Sequence, residues 1–208
     1  MSKRKFGDRR DGVRLKLGGF EKIWNCLKSK RSENEVHILK ELDVTELKKY
    51  YDIWIEKGLP IYNVDNIMNG YSLLYVYEKT KDEKYKQAAD KLYEWVCEYK
   101  KQMGNPLPYR KHHPTHVYVD GLGMIVPFLC RYGHLFENQE AINLGTEQIL
   151  EFLKYGMDGT TGLPYHGYDT KTKIKHGVIG WGRAVGWLML AMADSMEDLP
   201  KGKDREAI

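Results

Sequence analysis

The 208 residues suffice for one domain, with or without an N-terminal extension, and 42% apolar with 30% charged residues excludes a disordered chain. No apolar run reaches bilayer-spanning length, and none follows the basic N-terminus as in a secretory leader, so a cytoplasmic chain without a membrane partner is expected. The net charge of +4 is uneven: residues 1–16 hold seven Lys/Arg against two Asp, which leaves −1 for the body and excludes a basic nucleic-acid surface there.

Residues 1–42 read as a basic extension, partly flexible, broken at Gly18-Gly19. Within it, Phe20, Ile23, Trp24 and Leu27 have helical spacing. From residue 43 onward the chain reads as a series of helices. "DVTELKKYYDIWIEKGLP" is the first, capped by Asp43 or Thr45 and ended by Gly58 and Pro60. "DNIMNGYSLLYVYEKT" is the second. The third, "KDEKYKQAADKLYEWVCEYKK", shows a continuous apolar stripe of Tyr85, Ala88, Ala89, Leu92, Trp95, Val96 and Tyr99.

A loop with Gly104, Pro106, Pro108 and Pro114 precedes the fourth helix, "VDGLGMIVPFLCRYGHLF". There Pro127 is expected to kink the helix or leave its N-terminal part irregular. "NQEAINLGTEQILEFLKYG" is the fifth. The turn-rich stretch "MDGTTGLPYHGYDTKTKIKHG" follows and has room for a small hairpin. "GWGRAVGWLMLAMADSMEDL" is the sixth helix, and a charged tail finishes the chain. Nothing requires a large sheet. Helical hairpins round a centre are expected, with the long loops at one end forming the site.

Polar residues gather where a core alone would not put them. Asp65 and Asp120 open helices, His166 lies among tyrosines in a loop, and Trp181, Arg183 and Trp187 head the last long helix. Each has a plain alternative. Asp is a favoured N-cap, His166 can be satisfied by backbone, Arg183 can pair with an Asp, and the Trp rings can be core. Taken together, they suit an anionic sugar: Trp faces for pyranose rings, Arg for a carboxylate, and a partly desolvated Asp as proton donor. "HHPTH" offers His112, His113 and His116, but Pro114 breaks any helical face, and no metal or other cofactor is expected. Cys26, Cys97 and Cys130 form no C-x-x-C pair, which fits reduced thiols.

The stretches "YNVDNIMNGYSLLYVYEKTKDEKYKQAADKL", "HVYVDGLGMIVPFLCRYG", "TGLPYHGYD" and "GWGRAVGWLMLAMADSMEDLP" stand in the order and spacing of a known family. The segment from about residue 45 to 200, within a domain read as residues 43–208, resembles the unsaturated glucuronyl and rhamnogalacturonyl hydrolases, glycoside hydrolase families 88 and 105, the latter more closely. The resemblance implies an all-α, incomplete (α/α)6 barrel, since the readable helices amount to part of such a barrel.

It also implies roles. Asp120 is the general acid/base and Asp65 the second active-site carboxylate. His166, Trp181, Arg183 and Trp187 are substrate-pocket positions. His116 and Tyr118 stand near where the family carries a His and a Trp ahead of the acid. The family's acid protonates C4 of a C4=C5 double bond in a terminal unsaturated uronic acid, and water adds at C5. The hemiketal then opens and releases the remaining sugar. Apolar neighbours or Asp65 would help the acid keep its proton.

The competing expectation is a saccharide-binding domain without a complete catalytic wall, whose exposed inner aromatics would promote self-association. The opening "KFGDRRDGVRLK" more weakly resembles chloramphenicol acetyltransferase-like proteins, without that fold's catalytic His motif.

Overall fold

The computed structural model describes residues 44–208. The readings made on the basic extension, its short helix, Cys26, the Asp43 cap and the acetyltransferase-like opening lie outside the described residues.

Helix α1 (Val44–Glu56) buries Tyr51 and Trp54. It ends at Gly58, whose φ of 79° suits a residue without Cβ. Helix α2 (Asn69–Thr80) starts later than its apolar pattern suggests, because a 3-10 turn (Val64–Asn66) precedes it. Asn63 caps that turn, its side chain accepting from the Asp65 amide at 2.9 Å. Helix α3 (Glu83–Met103) is capped by Asp82 and buries the expected stripe, with Trp95 only half-buried.

Helix α4 (Val119–Leu135) is the central helix of residues 44–208. Thirteen of its 17 residues are buried, so it is covered on nearly all sides. One face packs with α1–α3 through Ile125, Phe128, Leu129 and Tyr132. The Phe128 ring fills the space a side chain at Gly70 would need. The other face joins α5 (Gln139–Tyr155) and α6 (Gly182–Met196) through Leu122, Val126 and Cys130.

The expectation that Pro127 leaves the start of α4 irregular is corrected: the helix is continuous from Val119. A short helix α7 (Lys203–Ala207), not foreseen in the charged tail, closes the chain.

At the far end from the loops, Arg131 of α4 ties three elements. It donates to Glu78 of α2 at 2.6 Å and to Asp198, beyond α6, at 2.7 Å. The Asp198 side chain is only 1% exposed, so the pairing is largely shielded from water.

The strands form one small antiparallel sheet. The turn-rich stretch makes the expected hairpin, β2 (Gly167–Asp169) and β3 (Lys175–His176). A strand the sequence did not announce, β1 (His116–Tyr118), pairs with β2 in the register His116–Asp169, Val117–Tyr168 and Tyr118–Gly167. Its buried Val117 and the buried Tyr168 anchor the sheet on the α4–α5–α6 core. The sheet thereby covers the start of α4, where Asp120 sits.

Candidate active site

Asp120 is the second residue of α4 and 6% exposed. It does not cap the helix; the N-cap position is Tyr118, which makes no side-chain cap bond. The Asp120 carboxylate instead faces outward into the loops. Its Oδ2 lies 2.7 Å from His166 Nε2, and its Oδ1 lies 3.5 Å from Arg183 Nε. One oxygen thus shares a hydrogen bond with an imidazole and the other faces a guanidinium.

His166 is placed by backbone on both sides. Its carbonyl accepts from the Val119 amide at 3.0 Å, which joins β2 to the first residue of α4. Behind it runs Gly177, with φ of 80°, where any side chain would strike the His166 Cβ. The His166 ring lies 4.6 Å from the Tyr118 ring and 4.9 Å, edge-on, from Trp181. Arg183 stacks its guanidinium 4.0 Å over Trp181, and both side chains are exposed at the mouth. One turn further along α6, Trp187 packs against Gly123, with its Nε1 buried and unpaired.

Asp65 was expected to open a helix. It sits instead within the 3-10 turn, and its carboxylate turns to the loop before β1. It accepts from the Tyr109 hydroxyl at 2.6 Å and from Arg110 Nη1 at 3.1 Å. Arg110 also donates to the Tyr109 oxygen at 3.0 Å and lies 4.1 Å over its ring. The Tyr109 ring in turn rests on Gly121, beside Asp120. Burial, then the hydrogen bond to Asp65, push the Tyr109 phenol well above its ordinary range; the Asp120 charge adds to this and Arg110 opposes it. Tyr109 is therefore a neutral donor standing between the two carboxylates.

His116 and Tyr118, on β1, line the other flank. His116 Nε2 is 3.5 Å from Asp169 Oδ2, and its ring lies 4.6 Å from His176. Asp169 is held ionised, well below the usual carboxylate range, by Thr115, whose hydroxyl donates to it at 2.6 Å, and by Thr172.

The structure thus gathers Asp120, His166, Tyr118, His116, Trp181 and Arg183 in direct contact. Asp65 joins them through Tyr109, and Trp187 through Gly123. Tyr109, Arg110, Asp169 and His176 escaped the sequence reading. They lie in loops or in strands of two or three residues, where no periodicity marks a face. The adjacent aromatic and basic residues of "PYRK" were the one usable signal.

An acid held by an imidazole, a guanidinium at the mouth and two indoles can protonate a bound molecule and hold an anionic ring. Among the described residues no helix is long and apolar enough to cross a membrane.

Comparison with known proteins gives a consistent result. The family described as Glycosyl Hydrolase Family 88 matches residues 36–208. The chain is similar to the unsaturated rhamnogalacturonyl hydrolase YesR of Bacillus subtilis (strain 168), with 28% identity over 171 residues, 79% of this chain and 48% of that protein.

Among solved structures it resembles a family 105 glycoside hydrolase of C. acetobutylicum ATCC 824, at 30% identity and TM-score 0.61, over 77% of this chain and 51% of that one. It also resembles a possible member of the GH105 family from Klebsiella pneumoniae subsp. pneumoniae MGH 78578, at 25% identity and TM-score 0.66, over 78% and 45%. The chain spans about half the length of the relatives it matches. Its helical hairpins are those of an (α/α)6 barrel.

Proposed function

This chain belongs to Glycosyl Hydrolase Family 88, and from that premise we propose that its site hydrates the C4=C5 double bond of a terminal unsaturated uronic acid on an oligosaccharide. The observation that carries this reading is the Asp120–His166 pair, 2.7 Å apart at a sheltered helix start with Arg183 alongside.

A single proton on this pair can rest on either partner. When it is on Asp120, the carboxylic acid can deliver it to C4. The electron pair of the double bond forms the new C4–H bond, and positive charge develops at C5 and the ring oxygen. Water adds at C5 and gives up a proton to the Asp120 carboxylate. The hemiketal then opens and the glycosidic oxygen leaves with its sugar. One carboxylate thus acts first as acid and then as base.

Arg183 is exposed and set for the uronate carboxylate, while the rings of Trp181 and Trp187 offer faces for pyranose stacking. Asp65, held by Tyr109 and Arg110, acts as the second carboxylate; it orients Tyr109 beside the acid.

The test is Asp120→Asn assayed by loss of the unsaturated-uronate absorbance. Rates should fall about 10²–10⁴-fold with folding intact. Turnover near the wild-type rate would remove Asp120 from its role.

A second reading, saccharide binding without turnover, is favoured by the open face of α6. There Met189 is 64% exposed and Leu190 37% exposed, and the same face supports self-association. Calorimetry with an unsaturated disaccharide separates the two readings, since binding without loss of absorbance would support the second. Sedimentation velocity tests the association. Residues 43–208 are read as the saccharide-acting domain and 1–42 as its extension. The free Cys97 and Cys130 support a reducing, cytoplasmic setting.

A further inference from the structure

The sheet beside the site carries a histidine that the reaction above does not use. His176 of β3 pairs its backbone with Gly167, the residue after His166. Its ring lies 4.6 Å from His116 of β1 and 6.3 Å from Tyr118. Its Nε2 is buried with no partner, and so is His116 Nδ1. The next residue, Gly177, backs directly on the His166 Cβ. Three imidazoles therefore gather on one face of the sheet, and the last of them holds Asp120.

Three titratable or charged groups act on His176 from the packed elements: His116 on β1, Asp169 on β2, and His166 at the approach to β2. The neighbouring Lys175 turns away, its ammonium donating to the Met157 carbonyl at 2.6 Å. Burial first, then His116, with His166 adding, hold the His176 imidazole below its ordinary value of 6.5; Asp169 alone opposes them. Asp169 is already engaged by Thr115, by the amides of Lys171 and Thr172, and by the Thr172 hydroxyl. A charged His176 would thus sit beside two other imidazoles, with its one anion committed elsewhere.

We propose that His176 is a positioning residue that keeps His166 against Asp120 only while its own imidazole is neutral, so that acid releases the pair through β3. The inference rests on the reading of Asp120 and His166 as the reacting pair. With two residues, β3 has few backbone bonds to lose. If it lifts from β2, Gly177 no longer backs His166. The sign follows from the lowered value. Docking of β3 is fully supported above the ordinary histidine pKa, and that support is lost as pH falls through the lower, folded one.

The test compares the 208-residue wild-type chain with His176→Gln, which keeps a polar side chain but cannot titrate. Backbone hydrogen exchange of residues 174–178 is read in both proteins at pH 7.5 and at pH 5.5. The inference expects wild type to exchange relatively faster than the variant at the lower pH, by at most about tenfold per pH unit between the ordinary histidine value and the lower His176 midpoint, with no further gain below that midpoint. In parallel, wild-type kcat/KM should fall more steeply with acid than that of the variant, whose activity is reduced by a constant factor. An equal ratio of exchange rates at both pH values overturns the inference, because a merely structural role weakens β3 alike at both.

If neither protein turns over any substrate, the proposed function fails while the exchange comparison still decides this point. If His176→Gln does not fold, the His176 ring resonance of wild type is titrated instead. It must report a midpoint below 6.5, at the pH where the acid-driven rise in exchange levels off. A rise that continues unchanged through that midpoint overturns the inference.

Discussion

The indole of Trp187 occupies the space that any side chain on Gly123 would need, so α6 and α4 meet here at glycine distance. This contact sets Trp187 one turn along from the Arg183–Asp120 approach. Gly123→Ala should therefore push the indole off α4. Overpacking of this kind costs roughly 1–3 kcal/mol. Urea denaturation should show that loss, together with a raised KM for a saccharide that stacks on the displaced ring.

Arg131 joins α4 to Glu78 and Asp198 at the end opposite the loops. Arg131→Ala leaves both carboxylates without their cation, and the Asp198 side chain is 1% exposed. Removing one partner of such a pairing costs about 3–5 kcal/mol. Arg131→Met, which fills the space, should lose nearly as much, because the buried charge remains. Equal stability of either variant with wild type would contradict this account.

The Asp65–Arg110 pair behaves differently, because both side chains are more than a third exposed. Arg110→Gln should change stability by less than about 1 kcal/mol. Its effect should appear in kcat/KM, since Asp65 and Tyr109 lose the group that orients them. Thermal melts and kinetics on the same preparation separate the two.

Asp194 gives a pH signature. Burial, then the charges of Glu197 and Asp198, push its carboxyl up to about 6 from an ordinary 3.8. A carboxyl raised on folding makes the native state bind its proton more tightly than the unfolded state does. Its charge therefore destabilises the fold above pH 6, and that penalty fades as pH falls from about 6 toward 3.8. Asp194→Asn should be more stable than wild type at pH 8, with the gap closing through this window. A gap that does not vary with pH would refute it.

The long helices were legible because their apolar residues repeat at helical spacing, as in the Tyr85–Tyr99 stripe of α3. Asp120 was legible as an oddity, a carboxylate in an apolar run. Arg183 was read as able to pair with an Asp, but the bond to His166 was not legible, because a 46-residue separation leaves no periodic trace. The capping alternative for Asp65 failed because a nearer residue, Asn63, takes that role. Strand β1 was hidden by its length of three residues, of which only Val117 is buried. Pro127 was expected to kink α4 or leave its start irregular, and the helix is continuous through it.

The separation of Asp120 from His166 also has a meaning in time. A chain leaving the ribosome delivers α4 and α5 before the imidazole that holds Asp120, and Arg183 later still. Until then a carboxylate destined for burial has no partner, and desolvating it alone is unfavourable. The first turn of α4 must therefore stay wet while the rest of that helix finds its neighbours. On refolding, helix content should recover ahead of the Trp181 and Trp187 fluorescence, because the loop end around Asp120 is the last seam to seal.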